Sequence, residues 1–547
     1  MLFPYDIPTT PYNYGMMVIQ DTLGELLGDG PSLVLAALLS GLAILFTSQV
    51  FLHPLRKYPG PIAAKFTDAY NGFYTAQRRL HLVTWQNHLR YGPVVRQGPN
   101  KLVFSTITAV HDIYRTDKTT KPQAYKALGP SLTTYNVFTA TDNQLHRQRR
   151  QLVGQILTDA SLRAFEPTMI KQVDVLLANL LRSAQKPTSA SVDMSEETRR
   201  LGLDIAGQLA FGYDLKLQTE EKNRFMLTMI TKGTFWSSVF LHYPGGRRFR
   251  MALVAVKAFR QLREPYFALM QTMINSRMAE EVDAKHDLFS RVAPALRSEG
   301  DNAGGLRDSE LWAEANLFLT AAGDTVKTAL SGVLFYLARD ERVYKKLAAE
   351  IGTVFKNGGE ITGPGLVKCK YLRACIDESL RMSPPAAGIL WREQAPDPAG
   401  QPFIVDGHVI PRGTIVGVNV YSLHHNEEYF PNSFEYYPER WSDEQDADTK
   451  RRMREAFMPF SVGPRGCAGK SMAYSETGLV IAKILWYFDF ETTRGGMGKV
   501  GGGDPHLGAG RERPGEFQLY DVFSAMHEGP YLTFKTREEY WKELVQF

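Results

Sequence analysis

The sequence predicts a mainly α-helical domain with small β sheets, preceded by a single N-terminal transmembrane helix. Three patterns lead there. Apolar residues recur at helical spacing from Leu162 to Arg182, Ala252 to Arg277, Ser309 to Leu337 and Met472 to Phe488. Strand-like runs are short, such as Leu102-Val103-Phe104 and Phe403-Ile404-Val405. Leu33 to Leu52 is uncharged and mostly apolar, and about twenty residues at helical rise cross a bilayer's hydrocarbon core. At 547 residues the chain exceeds the usual single-domain size, yet it shows no repeat and no central linker. One large unit with appendages is expected: a tail over 1–32, an anchor over 33–52, a proline-rich hinge over 53–62 and the main domain over 63–547.

Taken in chain order, the tail holds Asp6, Asp21, Glu25 and Asp29 with no Lys or Arg, whereas Arg56 and Lys57 follow the apolar stretch. The positive-inside rule places the main domain in the cytoplasm and the tail across the membrane. A cleaved signal peptide fits less well, because the basic leading region is missing and the apolar run starts late. His53-Pro54 and Tyr58-Pro59-Gly60-Pro61 then end the helix and stiffen the exit.

Within the main domain, Thr141 to Arg150 reads as a basic helix. Pro167 suits the opening turn of the next helix, so regular structure is expected to start near it. A Gly/Asp/Asn-rich loop, Glu299 to Gly305, precedes the helix at Ser309, and Asp406-Gly407 after the second strand run is a hairpin signal. Gly495 to Gly510 reads as a flexible surface loop. It is no phosphate cradle, since no strand precedes it and no Gly-Lys-Ser/Thr follows.

Hydrophobic content of 44% and charged content of 22% allow a sizeable core. A net charge of +5 without a recognisable module gives no support for nucleic-acid binding. The three cysteines, Cys369, Cys375 and Cys467, form no metal-type spacing with the histidines, a profile of a reducing compartment. Cys369 and Cys375 are read as core residues.

Cys467 is different. It stands in Phe460-Ser-Val-Gly463-Pro-Arg465-Gly466-Cys467-Ala-Gly469, where Gly463 and Gly466 permit sharp turns close to a flat cofactor. Arg465 can neutralise a carboxylate, Gly469 lets a helix start against the cofactor face, and the cysteine can present a thiolate to a metal. This run resembles the haem-binding signature of the cytochrome P450 family, Phe-x-x-Gly-x-Arg-x-Cys-x-Gly, at every defining position. The resemblance implies a monooxygenase carrying haem b (iron protoporphyrin IX), with Cys467 as axial ligand favouring O–O cleavage. A single anchor followed by a proline hinge also resembles the membrane-bound members, which implies the endoplasmic reticulum membrane and a lumenal tail.

Further motifs match the same family. Glu378-Ser-Leu-Arg381 puts two opposite charges on one helical face. With Arg440 of Pro438-Glu439-Arg440-Trp441 they would form a buried network that locks the loop ahead of the ligand, losing which should prevent haem incorporation. Thr320-Ala321-Ala322-Gly323-Asp324-Thr325 resembles the family's oxygen-binding groove, with Gly one place later than usual. Carried over, Thr325 would hold oxygen and its water, and Asp324 would feed protons for O–O cleavage. Where the family has Trp-x-x-x-Arg for a haem propionate, this chain has His146 and Arg150; Arg392 and Arg465 match further propionate positions.

Arg147, Arg149, Arg451, Arg452, Arg454 and Lys470 would in that fold surround the cysteine side, a docking surface for an acidic redox partner. No nicotinamide fingerprint or flavin domain is visible, so electrons must come from another protein: an NADPH-dependent flavoprotein reductase, with cytochrome b5 as a second donor. Leu317, Phe318, Ala321, Ile389, Leu390 and Trp391 suggest a lipophilic substrate arriving from the membrane. His146 and the tryptophan of Pro-Glu-Arg-Trp look similar to filamentous-fungal members acting on specialised metabolites such as terpenoids and polyketides. Hydroxylation or epoxidation is the leading expectation. An oxygen-independent isomerase or dehydratase, and a non-catalytic haem protein that carries ligands, are the alternatives; neither needs the Asp324-Thr325 pair.

Overall fold

The computed structural model describes residues 30–129, 134–186, 190–247, 251–281, 284–285, 287–290, 308–442 and 444–545. The chain divides into two units, Met1–Tyr58 and Pro59–Phe547. In the first, helix α1 (Gly30–Thr47) runs into one π-helical turn, Ser48–Leu52. Leu33–Leu52 is long and apolar enough to cross a membrane. Leu38, Leu42, Ile44 and Leu52 are all well exposed, an apolar surface that water penalises and lipid does not.

The second unit is mainly helical. The helices that place the site are α2 (Asn143–Gly154), α3 (Asp159–Ala184), α4 (Met194–Phe211), α5 (Phe225–His242), α6 (Met251–Met278), α7 (Asp308–Leu337), α8 (Lys370–Met382) and α9 (Lys470–Tyr487). The expected long helices are therefore present, with one shift. Helix α3 starts at Asp159 because the Thr158 side chain caps it by accepting from the Ser161 amide, which leaves Pro167 inside the helix rather than in its opening turn. The proline forfeits one backbone bond. Phe165, Met169, Val173, Leu176 and Leu180 keep an unbroken buried stripe, which outweighs that loss.

The core sits where α3, α7, α8 and α9 meet, and α9 is buried almost all round from Leu479 to Tyr487. Helices α4 and α7 approach backbone to backbone. A Cβ on Gly323 would lie 2.6 Å from the Leu203 side chain. Gly323 thus serves this helix crossing and points away from the expected groove.

Strands β1 (Val94–Gly98), β2 (Lys101–Phe104), β3 (Thr119–Thr120), β5 (Arg392–Gln394) and β8 (Ile415–Val418) form one sheet in the order β1-β2-β8-β5-β3, with β2 and β8 parallel. A second sheet has the order β4 (Val192–Asp193), β10 (Tyr531–Thr536), β9 (Phe488–Thr492). The hairpin of β6 (Phe403–Val405) and β7 (His408–Ile410) turns at Asp406 and Gly407, with φ of 50° and 75°. Gly495 to Gly510 departs from the flexible loop expected of it. It contains two short 3₁₀ turns, and Arg339 donates to the Gly498 carbonyl at 2.5 Å. The stretch Glu299 to Gly305 lies outside the described residues.

Candidate functional site

The cysteine loop is fixed by its own backbone. The Cys467 amide donates to the Phe460 carbonyl at 2.8 Å and the Gly466 amide to the Gly463 carbonyl at 2.9 Å. Gly463 has φ of 74°, and a Cβ there would stand 1.9 Å from the Tyr114 carbonyl oxygen, so no other residue fits. Tyr114 in turn bonds the Leu390 carbonyl and the Val418 amide, which registers the loop against the larger sheet. Around Gly469 there is open space. Cys467 is exposed, opening on a crevice of about 370 Å³ that Arg115, Arg150, Phe460 and Lys470 also line. Surrounding protein pushes its thiol up by desolvation, while the Gly469 amide, Arg150 and Lys470 favour the thiolate.

Behind the loop stands the charge network anticipated from Glu378, Arg381 and Arg440. Glu378 and Arg381 are fully buried. Arg381 makes a two-point contact with the carboxylate at 3.0 and 2.9 Å, and Arg440 adds a bond at 2.8 Å. The Trp441 indole and the Tyr437 amide donate to the same carboxylate. Burial would raise the Glu378 carboxyl, but Arg381 and Arg440 hold it below its ordinary value. Arg381 also reaches the His424 and Ser433 carbonyls, tying α8 to the segment that leads toward the cysteine.

Helix α7 presents Glu314, Phe318, Ala321 and Thr325 along one stripe, since steps of four, three and four residues return to nearly the same angle. Ala321 is exposed although the helix runs through the interior, and Thr325 opens beside it. The Thr325 hydroxyl donates to the Ala321 carbonyl at 2.6 Å. Asp324 points elsewhere. Its carboxylate accepts from Arg199 of α4 at 2.8 Å, and Arg199 also donates to the Leu227 carbonyl and the Thr231 hydroxyl of α5. The acid and hydroxyl are thus adjacent in sequence but face different partners.

At one edge of the site cations gather, with Asp142 favouring the charge of Arg465 only from a distance. Arg392 is buried, lies over the Tyr114 ring and donates to the Trp391 carbonyl. Arg465 donates to the Ala140 carbonyl at 2.5 Å and to Asn143 at 2.8 Å. Burial, then repulsion from Arg392, lowers its guanidinium to about 10. Lys121, which the sequence did not single out, donates to the Phe138 carbonyl at 2.6 Å. Burial followed by Arg392 and Arg465 pushes its ammonium well below the usual lysine value. His146 is buried among them and lowered to about 3, first by burial and then by Arg465, Lys121, Arg150 and Arg392. Among the described residues no carboxylate forms an ion pair with Lys121, Arg150, Arg392 or Arg465. Buried cations left in this state call for an anion, and a two-carboxylate group such as haem supplies two. An open cysteine in a glycine-bounded loop, a small-residue face on α7 and an edge of cations without ion-paired carboxylates are features that fit that cofactor. Arg150 takes a different place from the propionate position expected of it: it donates to the Gly466 and Cys467 carbonyls at 2.8 and 3.4 Å.

The basic surface near Cys467 is smaller than expected. Arg149 does not belong to it: its side chain is buried and pairs with Glu310 at 2.6 Å, because it lies two residues round the helix from the exposed Arg147. Arg451 and Arg452 bond Asp448 and Glu428. A groove of about 550 Å³ lined by Arg115, Lys450, Arg451 and Arg454 adjoins the cysteine crevice through Arg115, which the sequence reading also missed. Of the expected apolar wall, Ile389 is buried beside Phe138 and Phe523. Leu317 and Phe318 are half-buried on α7, and Leu390 offers its carbonyl to Tyr114. Trp391 is a core residue instead, with Lys101 over its ring.

Comparison with known proteins agrees with this geometry. The family model described as Cytochrome P450 matches residues 69–500. The cytochrome P450 monooxygenase AKT7 of Alternaria alternata is 32% identical over 520 residues, covering 92% of this chain and 97% of the relative. Cytochrome P450 monooxygenase apf7 of Gibberella fujikuroi is 32% identical over 515 residues, 90% and 95% of the two chains. Cytochrome P450 monooxygenase poxM of Penicillium oxalicum is 33% identical over 496 residues, 89% and 91%.

Proposed function

Since the chain belongs to the cytochrome P450 family and is a P450 monooxygenase, we propose that it hydroxylates or epoxidises a lipophilic substrate of specialised metabolism. The observation that carries this reading is Thr325, whose hydroxyl stands on the open stripe of α7 beside Ala321. Bound haem supplies activation of molecular oxygen and the oxidising equivalent. The chain's own residues do the rest. Cys467 ligates the iron; Lys121, Arg392 and Arg465, with neutral His146, hold the propionates; Arg150 clamps the carbonyls of the ligand loop. Glu378, Arg381 and Arg440 keep that loop rigid. Thr325 orders water and holds a proton at its Oγ1, and Asp324 resupplies that proton when its pair with Arg199 opens. Ala321, Leu317 and Ile389 exclude bulk water and favour an apolar substrate.

Electrons are proposed to come from NADPH through a flavoprotein reductase, with cytochrome b5 as a second donor, docking over Arg115, Lys450, Arg451, Arg454 and Lys470. Leu33–Leu52 is read as a single-pass anchor in the endoplasmic reticulum membrane with the catalytic unit in the cytoplasm.

The test is Thr325→Ala in protein reconstituted with a reductase and a panel of terpenoids, polyketides and aromatic acids. Product per NADPH should fall and peroxide should rise. Unchanged coupling would refute the oxygen-activating role and favour an oxygen-independent reaction.

A further inference from the structure

One group on the α7 stripe is not used by the chemistry above. Glu314 lies three turns before Thr325 on the same face, about 16 Å along the axis at 1.5 Å per residue. It is 1% exposed, and one carboxyl oxygen has no hydrogen-bond partner among the described residues. The other accepts from the Val137 amide at 2.8 Å. Next to it, Asn136 donates to the Ala313 carbonyl at 3.2 Å. The Asn136 side-chain oxygen Oδ1 then accepts from the Phe138 and Thr139 amides and the Thr139 hydroxyl, which folds the segment into a tight turn.

On its far side the same turn is held by the cation cluster. Lys121 donates to the Phe138 carbonyl and sits 3.5 Å over the Phe138 ring, and Arg465 takes the Ala140 carbonyl. Phe138 is therefore fixed between the propionate-binding edge and α7. Its ring meets Phe523 edge to face, with centroids 5.4 Å apart, and both pack with Ile389. Phe523 itself has φ of 77°, a conformation that turns its ring toward this cluster at a cost in backbone strain.

We propose that Glu314 is a positioning residue for substrate: by latching the Asn136–Ala140 turn to α7, it sets Phe138 against Phe523 as the aromatic wall of the pocket. The inference rests on the haem-thiolate reading of the site. The acid does not hold the turn by charge. Arg149, which pairs with Glu310, favours the Glu314 carboxylate, but burial outweighs it and pushes the carboxyl up to about 8, so near neutrality it is mainly a neutral acid. A neutral amide can replace it as acceptor for the Val137 amide, whereas a methyl cannot.

The experiment uses haem-loaded full chain and two nitrogen ligands of the iron, 4-phenylimidazole, whose ring needs the wall, and imidazole, which does not. Glu314→Ala is expected to weaken 4-phenylimidazole about tenfold, the scale of one lost aromatic packing contact, with imidazole unchanged within about twofold. Glu314→Gln should behave as the parent protein, and Phe138→Ala should reproduce the selective loss. Equal weakening of both ligands, or a Gln variant as impaired as the Ala variant, overturns the proposal. So does an unchanged Phe138→Ala, which decides the matter even where Glu314→Ala fails to fold. Absence of the red-shifted carbon monoxide band in the parent protein would instead refute the haem-thiolate reading.

Discussion

Glu378→Gln is the substitution whose consequence follows most directly from the geometry of the site. The carboxylate accepts two bonds from Arg381, one from Arg440, one from the Trp441 indole and one from the Tyr437 amide, in a place closed to water. An amide keeps the shape but removes the charge, and its NH₂ faces donors that it cannot accept from. Breaking a buried ion pair costs about 3–5 kcal/mol, because the remaining charge is left uncompensated. Here both Arg381 and Arg440 lose their partner, so the upper end applies, against a total stability of about 5–15 kcal/mol for a folded domain. Arg381 retains the His424 and Ser433 carbonyls, which limits the loss. The variant should accumulate as chain without the thiolate carbon monoxide band, read as haem per polypeptide after purification, and its urea midpoint should drop. A contrast is built in: Lys345 and Glu341 pair at the exposed surface, and Lys345→Ala should leave both readings in place. A Glu378→Gln protein with full haem content and unchanged midpoint would show that the network does not brace the cysteine loop, and the argument from burial would fall with it.

Two further outcomes follow from buried groups. Lys121→Met would remove a proposed propionate partner, and transfer of haem to excess apomyoglobin should quicken by about tenfold, since a bond to a charged group contributes about 1.5–3 kcal/mol; an unchanged rate would remove Lys121 from the cofactor site. Glu476 in α9 is buried, one of its oxygens has no partner among the described residues, and desolvation raises it to about 8. The folded state then holds a proton that the unfolded chain releases near pH 4.5, so this residue erodes stability as pH rises from there toward 8. Glu476→Gln should gain on the parent protein by up to about 1.4 kcal/mol per pH unit across that window in urea unfolding; a pH-independent difference would refute the assignment.

What the sequence disclosed was local. Cys467, Gly463, Arg465 and the Glu378/Arg381 pair are separated by a few residues, and their spacing alone sets which face or turn they share. The long helices were legible for the same reason, since their periods are written in single segments. Contacts between distant segments were not. Lys121 stands in an unremarkable Thr-Thr-Lys-Pro run, and only the fold brings it to Arg392 and Arg465. Arg149 and Arg147 look alike in a basic run, yet two residues of helix turn one inward to Glu310 and leave the other in solvent. Gly323 was read as the groove glycine displaced by one place, but the side of the helix it occupies belongs to Leu203. Asp324 was read with its neighbour Thr325, and Arg199, more than a hundred residues earlier, decides where it points.

The cluster at Lys121, Arg392 and Arg465, which no carboxylate ion-pairs among the described residues, has a consequence beyond the proposed cofactor contacts. Like charges brought together by folding make the last step of assembly uphill until a dianion arrives, so the cofactor acts as a keystone set during construction. If these residues hold the propionates as proposed, completion of the fold is coupled to the supply of haem.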